Sequence, residues 1–224
     1  ETDLQFFYKT RKKAWGPFKR QTWDLPPEIR TELGGLLQEK FEFLIRQLEA
    51  KGLAYRAPAT ALAINMHLYW TGLVADLWHS GDTSLTWLLR EAAAGAVFAA
   101  GHAEAGNDIP VLLSTTKAEP VEGGYRFTGH KAFGSLSPVW TYLGIHGMDT
   151  SDPQAPKIVH AFMPRGTPGS STKETWDVLG MRATRSDDTL LEGAFVPDQY
   201  IARVVPAGAA GIDMFVLGIF AWGL

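Results

Sequence analysis

The pattern of apolar and polar positions changes character twice along the chain. Up to about residue 95 the apolar positions recur at helical spacing. In PPEIRTELGGLLQEKFEFLIRQLEAKG, Leu33, Leu36, Leu37, Phe41, Leu44, Ile45 and Leu48 fall on one face of a helix. Pro26 and Pro27 suit its start and Gly52 its end, while Gly34 and Gly35 form a weak point inside. The stretch PATALAINMHLYWTGLVADLWHSG is apolar around most of its circumference, which predicts a buried helix. GDTSLTWLLREAAAG predicts a shorter one, with Asp82, Thr83 and Ser84 as an N-cap cluster and Gly95 as the C-cap.

After Gly95 the period falls to two. The segments VLLSTTKAEP, GGYRFTGHKAF, VWTYLGIHG, KIVHAFMP and DTLLEGAFVP are separated by turn signals at 122–124, 151–156 and 165–169. Such runs predict an antiparallel β domain, a sandwich or barrel, with a hairpin turning at Gly123-Gly124. From Ala207 a helical pattern returns and runs into the apolar MFVLGIFAWGL. The expected fold is therefore α+β and multidomain. A helical N-terminal domain (1–95) precedes an antiparallel β-barrel or sandwich middle domain (96–205) and the first helix of an incomplete helical bundle (206–224). A helix that apolar needs partners on several sides, so the chain reads as a fragment lacking its C-terminal part.

Composition narrows the classes. Apolar residues make up 46% and charged residues 20%, a core-forming balance. The net charge of −3 offers no basic field for nucleic acid, and KTRKK at 9–13 reads as a solvated face. There is no cysteine, which excludes disulfides and thiolate chemistry. No apolar run approaches the ~20 residues of a membrane span, and the first residues show no signal-peptide pattern. The expectation is a cytoplasmic protein with no nucleic-acid or membrane partner.

GHAEAGNDIP at 101–110 concentrates chemistry. His102, Glu104 and Asp108 alternate, with Gly101 before them, Gly106 between Glu104 and Asp108, and Asn107 alongside. The stretch by itself is compatible with a metal site, a phosphate-binding turn or a surface loop. Two further stretches have marked patterns. GHKAFGSLSP (129–138) sets an aromatic and a hydroxyl two residues apart, and WDVLGMRATRSDDTLLEGAFVP (176–197) carries Gly180, Met181, Arg182, Thr184 and Ser186. Taken singly, they read as strand and turn.

Together, these motifs and the helix–β–helix order resemble the acyl-CoA dehydrogenase family of flavoproteins over about residues 30–224. Gly101–Asp108 resembles the family's T-E-P-G-A-G-S-D segment and keeps Ala-Gly-x-Asp. The second stretch resembles G-x-K-x-[WF]-I-T-[NS]-G, with Lys131 and Phe133 in place. The third resembles the G-M-R-x-[ST] segment. The resemblance implies an FAD cofactor, with flavin contacts from Phe98, Ala100 and Gly101 and an aromatic wall at Phe133. It also implies a hydroxyl near flavin N5 at Ser135. A turn beside a flavin then accounts for the glycines of 101–108 better than a metal does, and no metal is expected. On the substrate side the resemblance implies Asn107, Asp213 and His67. Asn107 stands where the family has Ser, and Val216 where it has an Arg after the Asp; both depart from a standard acyl-CoA site. His67 on an apolar helix reads by itself as a core residue, but the flavin monooxygenase branch places a His near this point.

The family's base, a Glu, falls beyond residue 224 or at the position of Phe215, so no catalytic base is assigned. Three functions remain open. The first is FAD-dependent dehydrogenation of an acyl-CoA by a homodimer or homotetramer, with hydride transfer to flavin N5. The second is a flavin-dependent monooxygenase of the same fold. The third is a non-catalytic, flavin-free fragment or partner subunit.

Overall fold

The computed structural model describes residues 56–104, 112–213 and 215–218. The helix expected between Pro26 and Gly52, and Asn107, Asp108 and the end of the apolar 214–224 run, lie outside the described residues. The described chain starts with two helices, α1 (Pro58–His79) and α2 (Thr86–Ala93). Pro58 sits at the start of α1, where a missing N–H costs nothing. Its buried face carries Ala59, Ala63, Tyr69, Trp70, Leu73, Val74 and Leu77.

Gly95 ends α2 as expected. Its φ of 103° lets Ala96 donate back to Glu91 O at 2.9 Å and Gly95 to Ala92 O at 3.0 Å, the reciprocal pair of a Schellman cap. The expected N-cap cluster is corrected. Leu85 occupies the N-cap, with no side-chain cap bond. Asp82 instead accepts from Ser84 N and Oγ and pairs with Arg203, because a long-range cation outcompetes the local cap.

Eight strands follow: β1 (Phe98–Gly101), β2 (Lys117–Val121), β3 (Gly124–Gly134), β4 (Tyr142–Asp149), β5 (Lys157–Pro164), β6 (Ser170–Lys173), β7 (Asp187–Pro197) and β8 (Ile201–Pro206). They form one sheet in the order β6-β7-β3-β2-β4-β5-β8, with β1 also on β4. The β2–β3 hairpin turns at Glu122-Gly123, close to the expected glycines. The expectation of purely antiparallel strands is corrected to mixed pairing, while the sheet packs β4 and β5 against β3 and β7 across one core. β1 runs parallel to β4, and β2 meets β4 in parallel at Lys117↔Met148. The reason is chain path: β1 enters from the helices and leaves toward β2, so both fill the edge of β4 in turn. No described pairing joins β6 to β8.

Alternation along β4 and β5 divides the core in two. Tyr142 and Phe162 point to the helices and pack with Phe98, Trp70, Leu73 and Leu88. Leu143, Ile145, Val159, Ala161 and Met163 point the other way, onto Phe127, Leu191, Ala194 and Val196 of β3 and β7. Both strands are buried on both faces, hence the nearly continuous apolar run of KIVHAFMP. Where Trp70 crosses β4 the sheet carries Gly144, because a Cβ there would sit 2.2 Å from the indole ring. Trp70 Nε1 donates to Ala99 O at 2.8 Å, fixing the helix to β1.

Candidate functional site

Among the described residues, four that are not glycine have positive φ: Phe133 (57°), Leu136 (68°), Met181 (55°) and Arg185 (44°). All four lie in two segments that are bonded to each other. Leu136 N donates to Thr184 O at 2.9 Å, and Ser137 N to Arg185 O at 3.1 Å. Left-handed backbone at bulky residues costs of order 1–3 kcal/mol each and persists where surrounding structure enforces it, commonly at functional sites. Here the enforcing group is Asp187, buried at the start of β7. It accepts from Ser137 Oγ, from Trp176 N at 2.9 Å and from Arg185 Nε at 3.2 Å, tying three segments to one carboxylate. Burial alone would raise its pKa. Those donors outweigh it and hold the carboxyl below the usual range.

The strained backbone presents an apolar shelf. Phe133 is 62% exposed, Met181 45% and Val139 58%, and Leu179 is fully exposed. Trp176 stands edge-on to Phe133 with ring centroids 6.0 Å apart. A row of hydroxyls borders the shelf: Ser135 Oγ lies 2.8 Å from Ser186 Oγ, which lies 2.7 Å from Thr184 Oγ1. Thr184 in turn donates to Met181 O at 2.9 Å. An exposed aromatic face beside hydroxyls fits a flat aromatic ligand with a polar edge.

A second group of expected residues meets at the α1–β1 contact. Phe98 N–H donates to Nδ1 of His67 at 3.1 Å. That bond leaves the ring proton on Nε2. Burial lowers the His67 pKa, so the ring stays neutral at pH 7. Phe98 is fully buried, backbone and ring, with its N–H on His67 and its ring stacked on Tyr142 at 5.0 Å, so it offers no exposed surface to a ligand. Ala100 is half-buried, and Gly101 is buried against Leu143, 3.1 Å from where a Cβ would stand. The two groups are neighbours. Ala132 N, beside Phe133, donates to Ala103 O at 2.9 Å, and α1 packs on the turn Arg182–Thr184.

Asp213 joins neither group. It accepts from Val216 N at 3.0 Å as the N-cap of the helical turn at 215–218 and lies 3.8 Å from Arg203. Glu104 accepts from Ser114 Oγ, Thr115 N and Oγ1, Thr116 N and Oγ1, and Lys131 Nζ, all at 2.6–3.0 Å. Its lone pairs are thus committed within the protein, which argues against the alternation His102, Glu104, Asp108 as a ligand set. Trp176 has no role assigned from the sequence, and Asp187 reads there as a turn aspartate with local hydrogen bonds. The spacing of Asp187 from Ser137 along the chain is 50 residues, and no local pattern reports it. A hollow of about 250 Å³ lined by Ala155, Pro156, Lys157 and Val204–Pro206 shares no residue with the shelf.

No protein-family model matches the chain. Amino sugar nitrososynthase DnmZ of Streptomyces peucetius is 28% identical over 165 residues, 71% of this chain and 38% of its own. Mitochondrial isovaleryl-CoA dehydrogenase of Solanum tuberosum is 29% identical over 114 residues, 49% of this chain and 27% of its own. The structure of KijD3 in complex with FMN and dTDP-3-amino-2,3,6-trideoxy-4-keto-3-methyl-D-glucose matches with a TM-score of 0.60 and 26% identity. That match covers 76% of this chain and 44% of KijD3. The chain thus spans less than half the length of each of these relatives. The chain is therefore acyl-CoA dehydrogenase-like in sequence and matches KijD3 in fold.

Proposed function

We propose that this chain provides the flavin-binding wall of a flavin-dependent monooxygenase that oxidises an amine nitrogen. The observation that carries the reading is the exposed Phe133, held at positive φ beside the Ser135–Ser186–Thr184 hydroxyls. Phe133 would pack against the isoalloxazine ring, and Ser135 would donate to its polar edge. Backbone groups of Ala100 and Gly101 would meet the other edge of the ring, with Phe98 buried behind them. Reduced flavin supplies the electrons with which dioxygen is activated for oxygen transfer. His67 holds its proton at Nε2 and stays neutral, so it can serve as a hydrogen-bond donor without bringing a charge into an apolar site.

Support for oxygenation over acyl-CoA dehydrogenation comes from the relatives. The nitrososynthase is named for an amino sugar, and KijD3 is described with an amino sugar nucleotide. KijD3 is described with FMN, so the choice between FMN and the FAD expected from the sequence belongs to the same proposal. Homo-oligomerisation belongs to it too, and light scattering on the purified protein checks it.

The test begins with flavin fluorescence on the full chain and its Phe133→Ala variant. Loss of one aromatic stacking face, worth about 1 kcal/mol, should weaken FMN or FAD binding roughly five- to tenfold. Reduced flavin, oxygen and a panel of amines should then yield products one oxygen heavier by mass spectrometry. Anaerobic bleaching of bound flavin by an acyl-CoA, with no oxygenated amine, would overturn this reading in favour of dehydrogenation.

A further inference from the structure

The helix-facing side of the sheet has an aromatic end and a polar end. At the polar end three histidines come together from three separate segments. His146 on β4 and His160 on β5 are register partners and stack at 5.9 Å between centroids. His102, just after β1, lies 5.1 Å from His146 and 6.3 Å from His160. His146 and His160 are at most 2% exposed. A buried Lys131–Glu104 pair, at 2.6 Å, adjoins them, with Lys131 Nζ 3.5 Å from His146 Nδ1.

The helical elements rest on this cluster. Trp70 of α1 lies 5.3 Å from His102, and Tyr69 lies 6.3 Å away. Phe215, in the helical turn at 215–218, lies 4.8 Å from His160 and 5.9 Å from Trp70. Among the described residues, His102 Nε2, His160 Nδ1 and Tyr69 Oη of this contact find no hydrogen-bond partner. His146 is engaged on both sides, by Leu113 O at Nε2 and by Lys131. Arg203 on β8 is the register partner of His160 and pairs with Asp82 and Asp213. The groups facing the cluster are therefore Lys131 and Glu104, Tyr69 from α1, and Arg203 with its two aspartates.

We infer that His102, His146 and His160 form an acid-sensitive latch that seats α1 and the 215–218 turn on the sheet while neutral and releases them when protonated. Stacked, desolvated imidazoles beside an ammonium accept a proton only if water enters, and water enters only where Trp70, Tyr69 and Phe215 lift away. Burial and Lys131 hold all three rings neutral, aided by neighbouring histidines at His102 and His146 and by Arg203 at His160, which is brought down to about 3. The sign follows. The released state takes up protons near the ordinary histidine pKa of about 6.5, and the seated state does so only far below. Seating is complete above about 6.5 and weakens as pH falls, by roughly tenfold per pH unit for each histidine that titrates. The inference stands without the flavin reading.

The test is hydrogen exchange on the full chain between pH 7.5 and 5.0, corrected for intrinsic rates. Peptides from 58–79 and 212–218 should lose protection as pH falls, more steeply than strand β7. The variant His102→Gln/His160→Gln should flatten that dependence, while His130→Gln should leave it unchanged. An unaltered profile in the double variant overturns the inference. Imidazole NMR on the unmodified chain decides the matter if the double variant fails to fold. Three rings that stay neutral at pH 6 in the seated protein agree with the latch. A cluster histidine titrating near 6.5 with full protection retained overturns it.

Discussion

At the scale of single residues, the shelf depends on one carboxylate whose importance no local sequence pattern announces. Asp187 sits between Ser186 and Asp188 in an ordinary turn-and-strand stretch, yet it is 1% exposed and collects three donors. Its folded pKa is lowered, so its stabilisation is fully present above the ordinary carboxylate value of about 3.9 and is lost as pH falls below that value and through the lowered folded one. Asp187→Asn should lower the urea midpoint at pH 7 by the equivalent of about 1–3 kcal/mol, from donors left without a charged acceptor. The gap between variant and parent should narrow toward pH 3. A constant gap from pH 7 to 3 would show that charge is not what Asp187 contributes. Phe133 and Ser135 were legible earlier because aromatic and hydroxyl stand two residues apart within one strand motif. Their exposure and strain were not legible, since φ is set by the partner segment 181–187.

At the scale of elements, β2 and β3 share a continuous ladder, whereas the end of β1 meets β3 through the Lys131–Glu104 pair and a single bridge. Glu104 bridges to Lys131 in the gap where β1 has ended and β2 has not begun. Removing one member of a buried pair leaves an unpaired charge and costs about 3–5 kcal/mol. Lys131→Met should therefore lower stability by that order in chemical denaturation, and adding Glu104→Leu should recover part of it. If the double variant is no more stable than the single one, the hydroxyls and N–H groups around Glu104 carry the junction instead. The sequence placed Lys131 in a motif but gave it no role, because its partner lies 27 residues away. Elements with local signals fared better. The hairpin at Gly123, the end of α2 at Gly95 and the buried character of α1 all follow from short-range pattern. The N-cap of α2 did not, because Arg203, 121 residues away, takes Asp82.

At the scale of the whole described molecule, a helical layer lies on one face of a mixed sheet and a second core fills the other. Trp70 lies against Gly144 with no room for a Cβ between helix and sheet. Gly144→Ala would set a methyl into the indole ring, and overpacking of this kind costs about 1–3 kcal/mol. A melting curve should show that loss, with near-ultraviolet circular dichroism reporting the displaced tryptophan. Gly180→Ala, with nothing within 4 Å of the new Cβ, should stay within about 0.5 kcal/mol. An equal loss in both variants would mean that backbone freedom, not the Trp70 contact, explains Gly144. What the sequence by itself determined were the features written in short-range periodicity: two helices, then strands, a hairpin, an apolar turn to helix after 206, and motifs that resemble one superfamily. Only the tertiary structure decided that the sheet is mixed and that Phe133 is exposed. It alone also brought the histidines of three segments into one cluster beside Lys131. Those features depend on which distant segments pair, and a single chain's local pattern carries no record of register between strands far apart in sequence.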